Sequence, residues 1–322
     1  MSTTHPKESI STLLHNGNTI FLDGGLATAL ESLGHDLNHA LWSAKLLRED
    51  PAAIREVHRD YFLAGADVAI TASYQAAIAG LTNHLDLDNG KAREVIRRSV
   101  ELAIEARDGV LRAHPGRTLF VAGSVGPYGA YLANGAEYTG DYGDVTESHF
   151  RDFHRGRIEE VLAAGADVLA CETMPHLGEI EALCALLRDE FPESRAWVSC
   201  TLKDARHISD GTSVEQVVRL VEQCEQVVAV GFNCVPLDLA AEALEHLGSL
   251  TTKPLVIYPN SGERWDGAKK EWYGGAAASE RLSGLACQWQ ASGARLIGGC
   301  CRMGYEDVSR IRASVHSSSQ SK

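Results

Sequence analysis

The chain is short of positive charge. It carries 30 Lys and Arg against 43 Asp and Glu, a net charge of −13. Nucleic acid and anionic membrane surfaces attract basic patches, so this balance argues against both as partners. No apolar run reaches the length of a spanning helix. The opening segment "MSTTHPKESIST" lacks the apolar centre of a secretory signal, which points to the cytoplasm. Thiols stay reduced there, so structural disulfides are not expected among the eight cysteines. Several motifs are missing too. "DGGLATAL" after the first candidate strand does not match G-x-G-x-x-G, and no glycine-rich segment ends in G-K-[ST]. The 13 histidines contain no H-E-x-x-H, and no C-x2-C pair exists to build a four-cysteine structural zinc site. These absences turn the reading away from dinucleotide binding, phosphate cradles and zinc proteases.

What is present is a small repeat. "LAGADVAIT", "AAGADVLACET" and "ASGARLIGGC" each end a helix-like segment in glycine (Gly65, Gly165, Gly293) and enter a short apolar run. Glycine terminates helices because it takes a left-handed φ without steric cost. Short apolar runs bounded by turn residues read as strands buried on both faces. Eight candidates follow: 19–23, 67–71, 118–123, 167–171, 196–201, 227–232, 254–258 and 295–298. Amphipathic stretches separate them, among them "PAAIREVHRDYFLAG", "AREVIRRSVELAIEARDGVL" and "SVEQVVRLVEQC". Alternating strand and helix over 322 residues predicts a (β/α)8 TIM-type barrel, α/β in class. An open doubly wound sheet is the rival, without its usual glycine fingerprint. No linker divides the chain. Residues 1–316 are read as one barrel domain, 317–322 ("SSSQSK") as a disordered tail, and the protein as a monomer.

In such a barrel, chemistry gathers at the C-terminal ends of the strands. The residues expected there are Asp23, Tyr74, the loop Gly123–Gly129, Glu172, Asn233 with Cys234, Asn260, and Cys300 with Cys301. Five cysteines, Cys171, Cys184, Cys200, Cys224 and Cys287, sit among apolar or helical neighbours and read as small hydrophobes. Cys234 follows asparagine and the pair Cys300–Cys301 follows glycine at strand ends, one strand apart around the barrel. Three converging thiolates suit zinc, and three protein ligands leave an open position, the catalytic arrangement. Adjacent residues in regular β-structure face opposite ways. Gly298 and Gly299 are therefore expected to permit an irregular turn that aims both sulfurs inward. Spacing alone leaves open a vicinal disulfide or two unrelated buried thiols.

The motifs "GFNC" (Gly231–Cys234) and "GGCC" (Gly298–Cys301) resemble those of the homocysteine S-methyltransferase family. The likeness runs from "FLDGGLATALE" to "LIGGCCR". "LWSAKLL", "ITASYQA", "VAGSVGPYGAYLANGAEYTGDY", "ACETMP" and "VIYPNSGE" are most similar to its bacterial S-methylmethionine-using branch. One departure is the first loop, DGGLAT, where DGAMAT or DGGMGT is more usual; the acidic residue and first glycine are kept. The resemblance implies one zinc ion per chain on Cys234, Cys300 and Cys301. It also implies L-homocysteine as the methyl acceptor and a sulfonium donor, S-methylmethionine ahead of S-adenosylmethionine.

On that reading Asp23 and Glu172 take the substrate ammonium. Backbone groups of Gly123–Gly129, around Ser124, receive its carboxylate. Asn233 bonds substrate or caps its strand. Tyr74, Tyr128, Tyr138 and Trp42 could wall a cationic donor. Three other readings remain: a zinc-storing or redox-sensing protein, a family member using betaine, and the homocysteine module of a cobalamin-dependent system acting with a partner protein.

Overall fold

The computed structural model describes residues 8–37, 43–262, 264–266, 271–273 and 276–319. Gly65, Gly165 and Gly293 take φ of 120°, 96° and 105°, and each ends a helix just before a strand. The helix Pro51–Ala64 shows how the local sequence sets such an element. Asp50 Oδ1 accepts from the Ala53 N–H at 3.1 Å, Pro51 opens the first turn, and Ile54, Val57, His58, Tyr61 and Phe62 form its buried face.

Eight parallel strands form one sheet. They are β1 (Ile20–Phe21), β2 (Val68–Ile70), β3 (Phe120–Val125), β4 (Val168–Met174), β5 (Ala196–Cys200), β6 (Val227–Asn233), β7 (Leu255–Tyr258) and β8 (Ala294–Ile297). Their order is β1-β8-β7-β6-β5-β4-β3-β2, and a parallel bridge between Leu22 and Val68 joins the two ends. The sheet is thus a barrel, as the alternating pattern predicts. Two short antiparallel hairpins, Leu202–Asp204 with His207–Ile208 and Arg264–Asp266 with Glu271–Tyr273, lie outside it. Among the described residues no helix is long and apolar enough to cross a membrane.

Side chains alternate between two cores. Those facing outward from the strands pack under the helices in the larger core. Those facing inward fill the barrel: Ile20 and Leu22, Phe120 and Ala122, Val168 and Ala170, then Trp197, Ala229, Val256 and Leu296. The helix Ile10–His15 contributes Ile10 and Leu14 to this inner core and plugs the barrel. Continuing the same alternation upward reaches Ser124, Glu172, Ser199, Asn233 and Tyr258. The interior therefore turns polar at the C-terminal ends of the strands, the usual chemical face of this fold.

Two expectations need correction. The last helix, Tyr305–Ser319, includes the first three residues of the supposed disordered tail, and Ser317 Oγ donates to Ala313 O at 2.9 Å. Gly298 and Gly299 do not adopt a left-handed φ. They are glycines for lack of room. A Cβ on Gly298 would lie 2.6 Å from Leu22 Cβ, and one on Gly299 would lie 2.6 Å from Met303 Cβ.

Leu14 is 3% exposed and seals the apolar end of the barrel. Leu14→Ala should cost about 2–4 kcal/mol of stability, from lost transfer energy and the cavity left behind. Denaturant unfolding measures this; a loss under about 1 kcal/mol would show that the helix does not seal the core.

Candidate active site at the barrel mouth

Closure of the barrel brings the ends of β1, β6, β7 and β8 together and fixes their backbones. The Gly299 N–H donates to Asp23 O at 3.0 Å, and the Gly25 N–H to Met303 O at 2.9 Å. The Cys300 N–H donates to Pro259 O at 2.8 Å, the Cys234 N–H to Tyr258 O at 3.2 Å and the Ser261 N–H to Cys301 O at 3.1 Å. Thr28 Oγ1 accepts the Arg302 N–H at 2.9 Å. Three non-glycine residues in this region take a left-handed φ: Thr173 (62°), Cys234 (52°) and Arg302 (64°). Such conformations cost energy and persist where surroundings enforce them, often at functional sites.

The sulfurs of Cys234, Cys300 and Cys301 lie within 4.8 Å of one another. The Cys234 and Cys301 sulfurs are 3.9 Å apart, close to the roughly 3.8 Å between two thiolates on a tetrahedral zinc ion. Cys234 and Cys300, 66 residues apart, are joined as a disulfide. This corrects the expectation that disulfides would be absent, and the bond is not the vicinal one. Two sulfurs gathered for one metal are also within bonding reach of each other. In the disulfide neither offers a thiolate, so the metal-binding form is the reduced one. Burial pushes the Cys301 thiol up to about 11. A cation must bind before such a thiol ionises at neutral pH, which is what a zinc site provides. The donor set fits the metal.

Beside the sulfurs is a cavity lined by Asp23, Gly24–Thr28, Ile70–Ala72, Tyr74, Glu137, Tyr138, Glu172, Thr173, Asn233, Tyr258 and the cysteine loop. It carries three carboxylates, and no Lys, Arg or His among its described lining residues. Glu172 Oε1 accepts from Ser124 Oγ, and Oε2 accepts from Tyr258 OH at 3.0 Å. Burial pushes Glu172 up to about 7, against the lowering effect of those two hydrogen bonds. Asp23 Oδ2 accepts from the Ile70 N–H at 2.8 Å, while Oδ1 is buried and unpartnered. Burial raises the Asp23 pKa well above its usual range; the Ile70 hydrogen bond opposes this and the charge of Glu172 adds to it. Two buried carboxylates short of counter-charge make a receptor for an ammonium group.

The other expected residues divide. Tyr74 and Tyr138 line the cavity. Ser124 does not; its hydroxyl holds Glu172 from behind. Asn233 is fully buried and clamps Thr173, its Oδ1 accepting the Thr173 N–H at 2.7 Å and its Nδ2 donating to Thr173 Oγ1 at 2.8 Å. The loop Gly123–Gly129 turns away. Its Tyr128 N–H donates to Glu179 Oε1 at 2.6 Å, and Arg157 holds the carbonyls of Tyr74 and Gly126. Tyr128 packs with Tyr131, Tyr142, Phe150 and Phe153. Trp42 lies outside the described residues. The sequence reading missed Glu137 and the lining role of Gly24–Thr28. Glu137 sits on a single 3-10 turn, with no periodicity to mark it.

The raised pKa of Glu172 has a consequence for stability. Between its usual 4.5 and about 7 the native state holds a proton that the unfolded chain has released. Stability from this group is thus present below pH 4.5 and is lost as pH rises towards 7. Glu172→Gln cannot ionise. Reduced, metal-free Glu172→Gln should gain on the unsubstituted protein by on the order of 2 kcal/mol between pH 5 and pH 8, read from denaturant melts. An offset between the two proteins that is the same at both pH values would refute the raised pKa.

Comparison with known proteins was made against this geometry. A sequence profile described as "Homocysteine S-methyltransferase" matches residues 20–315. A protein of Escherichia coli named homocysteine S-methyltransferase is 51% identical over 314 residues, covering 97% of this chain and 99% of its own. The metallated form of the homocysteine methyltransferase MmuM from Escherichia coli superposes with a TM-score of 0.85 at 50% identity, covering 94% of this chain and 98% of that one. Its oxidised form gives 0.83 at 51% identity, covering 92% and 95%.

Proposed function

This chain belongs to the homocysteine S-methyltransferase family and is an enzyme of methyl transfer to homocysteine; from that premise we propose that its donor is S-methylmethionine and its metal one zinc ion on Cys234, Cys300 and Cys301. The observation that carries the reading is the convergence of three sulfurs on a cavity with three carboxylates and no cationic side chain among its described lining residues. A soft metal and positively charged substrates supply what that cavity lacks. A metal store needs no such carboxylates. The reading includes a cytoplasmic monomer.

Zinc held there by Cys234, Cys300 and Cys301 would supply Lewis acidity that lowers the pKa of the homocysteine thiol, so that its proton passes to solvent at neutral pH. The protein's own residues do the rest. Asp23 and Glu172 hold the homocysteine ammonium, which favours their ionised forms against the effect of burial. Ser124 and Tyr258 each donate to one oxygen of Glu172, so the carboxylate keeps one orientation. Asn233 fixes the strained Thr173 next to it and the strand end that precedes Cys234. Tyr74 and Tyr138 give the donor aromatic surface and exclude water. The homocysteine sulfur attacks the methyl carbon in line, a new C–S bond forms, and the old C–S⁺ bond breaks to leave a neutral thioether. With S-methylmethionine both products are methionine.

A sulfonium donor has a good neutral leaving group and needs no metal at the departing atom. S-adenosylmethionine shares that chemistry but would also require room for the nucleoside. Betaine is a harder electrophile and a quaternary ammonium. With zinc-loaded protein and homocysteine, kcat/KM should be highest for S-methylmethionine and at least tenfold lower for S-adenosylmethionine and for betaine. A higher value for either competitor would displace the donor assignment and leave the family activity intact.

Metal analysis gives a separate test. The reduced protein should hold one zinc per chain, and Cys234→Ser, Cys300→Ser and Cys301→Ser should each lose most of it together with turnover. Full zinc and full activity in all three variants would move the metal elsewhere.

A further inference from the structure

Glu137 lies outside the barrel strands, yet it is 9% exposed, lines the cavity, and has a buried Oε2 with no hydrogen-bond partner. It lies on a single 3-10 turn, Ala136–Tyr138, laid over the strand ends, where Asp23 and Glu172 belong to the barrel itself. The turn is held firmly. Thr201 Oγ1 donates to Glu137 O at 2.9 Å. Gly129 must be glycine for the turn to lie so close, since a Cβ there would be 2.5 Å from the Glu137 N. Gly135 and Gly140, on either side, take φ of 87° and 69°. The chain has thus buried a carboxylate, at a cost, and left one oxygen without a partner from the protein.

Resting on the donor reading above, we infer that Glu137 binds the α-ammonium group of the methyl donor and so selects an amino-acid sulfonium over a sulfonium without that group. Counting charges supports the division of labour. Homocysteine brings one ammonium, for which Asp23 and Glu172 are paired near the sulfurs. S-methylmethionine brings a second ammonium and a sulfonium, and the third carboxylate in the lining answers the ammonium. Tyr138, adjacent in sequence and 47% exposed, stands in the same lining, where its ring can meet the sulfonium. Burial raises the Glu137 pKa above its usual value, so an arriving cation also gains by restoring its charge.

The test uses zinc-loaded protein, Glu137→Gln, and two donors: S-methylmethionine and its deamino analogue 4-(dimethylsulfonio)butanoate. In the unsubstituted enzyme the deamino analogue should bind at least tenfold more weakly by calorimetry. In Glu137→Gln the dissociation constant for S-methylmethionine should rise at least tenfold, that for the analogue should change less than twofold, and KM for homocysteine and zinc content should hold. Glutamine has the same shape as glutamate, and a melting curve shows whether the variant is folded; if it is not, Glu137→Asp, which keeps the charge and shortens its reach, should weaken S-methylmethionine and spare the analogue. Equal affinity of the unsubstituted enzyme for the two donors, unchanged S-methylmethionine binding in folded Glu137→Gln, or a rise in homocysteine KM instead would each overturn the assignment. The donor reading fails differently, by turnover: an enzyme that prefers S-adenosylmethionine or betaine refutes it whatever Glu137→Gln does to binding.

Discussion

Pairing of the first strand with the last is the constraint on which the site depends. β1 and β8 are more than 270 residues apart in sequence, and they meet through Ile20–Leu296 and Phe21–Ile297. Once they are paired, the chain leaving β8 has to pass the chain leaving β1. The Gly299 N–H then finds Asp23 O, and the Gly25 N–H finds Met303 O. Cys300 and Cys301 come to stand beside Asp23 as a result of barrel closure, with no local motif to arrange it. Leu22 and Asp23 also take up the space into which a side chain at 298 would project, and Met303 takes up the space at 299. The two glycines are therefore a packing requirement at the seam, and the left-handed backbone falls instead on Arg302.

A second consequence of closure is the polar layer. Apolar residues can fill the barrel only as far as the helices and strands keep water out. Above Ala122 and Ala170 the next inward positions are Ser124 and Glu172, and above Ala229, past Gly231, it is Asn233. Each of these is partnered across the barrel. Ser124 and Tyr258 donate to Glu172, Trp197 Nε1 donates to Tyr258 OH at 3.1 Å, and Ser199 Oγ bridges Tyr258 and Asn233 at 2.7 Å each. A carboxyl group in such a ring is held in one rotamer. Its rigidity means that little reordering is needed when a ligand arrives.

Much of the fold was legible because it is written locally. The three glycine-terminated repeats mark helix ends before β2, β4 and β8, and the apolar runs match the observed strands to within a few residues. The three cysteines were legible as a group only through strand position and family likeness, since their proximity is a property of the closed barrel. The less legible parts are those whose meaning depends on direction. Ser124 and the Gly123–Gly129 loop stand at the right strand end, but the serine faces the back of Glu172 and the loop is drawn outward by Glu179 and Arg157. Asn233 reads equally as ligand or clamp until its amide is seen spent on Thr173. Glu137 had no periodicity to betray it, and its significance is an unpaired oxygen, which no sequence displays.

The sulfur cluster carries its own tension. Holding three thiols within 4.8 Å of one another prepares them for one soft cation. The same closeness lets Cys234 and Cys300 join each other, as they do here, with Cys301 left as a thiol. Metal binding and disulfide formation draw on the same sulfurs, so each state excludes the other. A regular strand could not present Cys300 and Cys301 together, and a looser loop would not keep them so near Cys234. The backbone hydrogen bonds of Cys234, Ser261 and Cys300 to neighbouring strand ends hold the loops in place. The cavity and its carboxylates stand beside the sulfurs at the same end of the barrel.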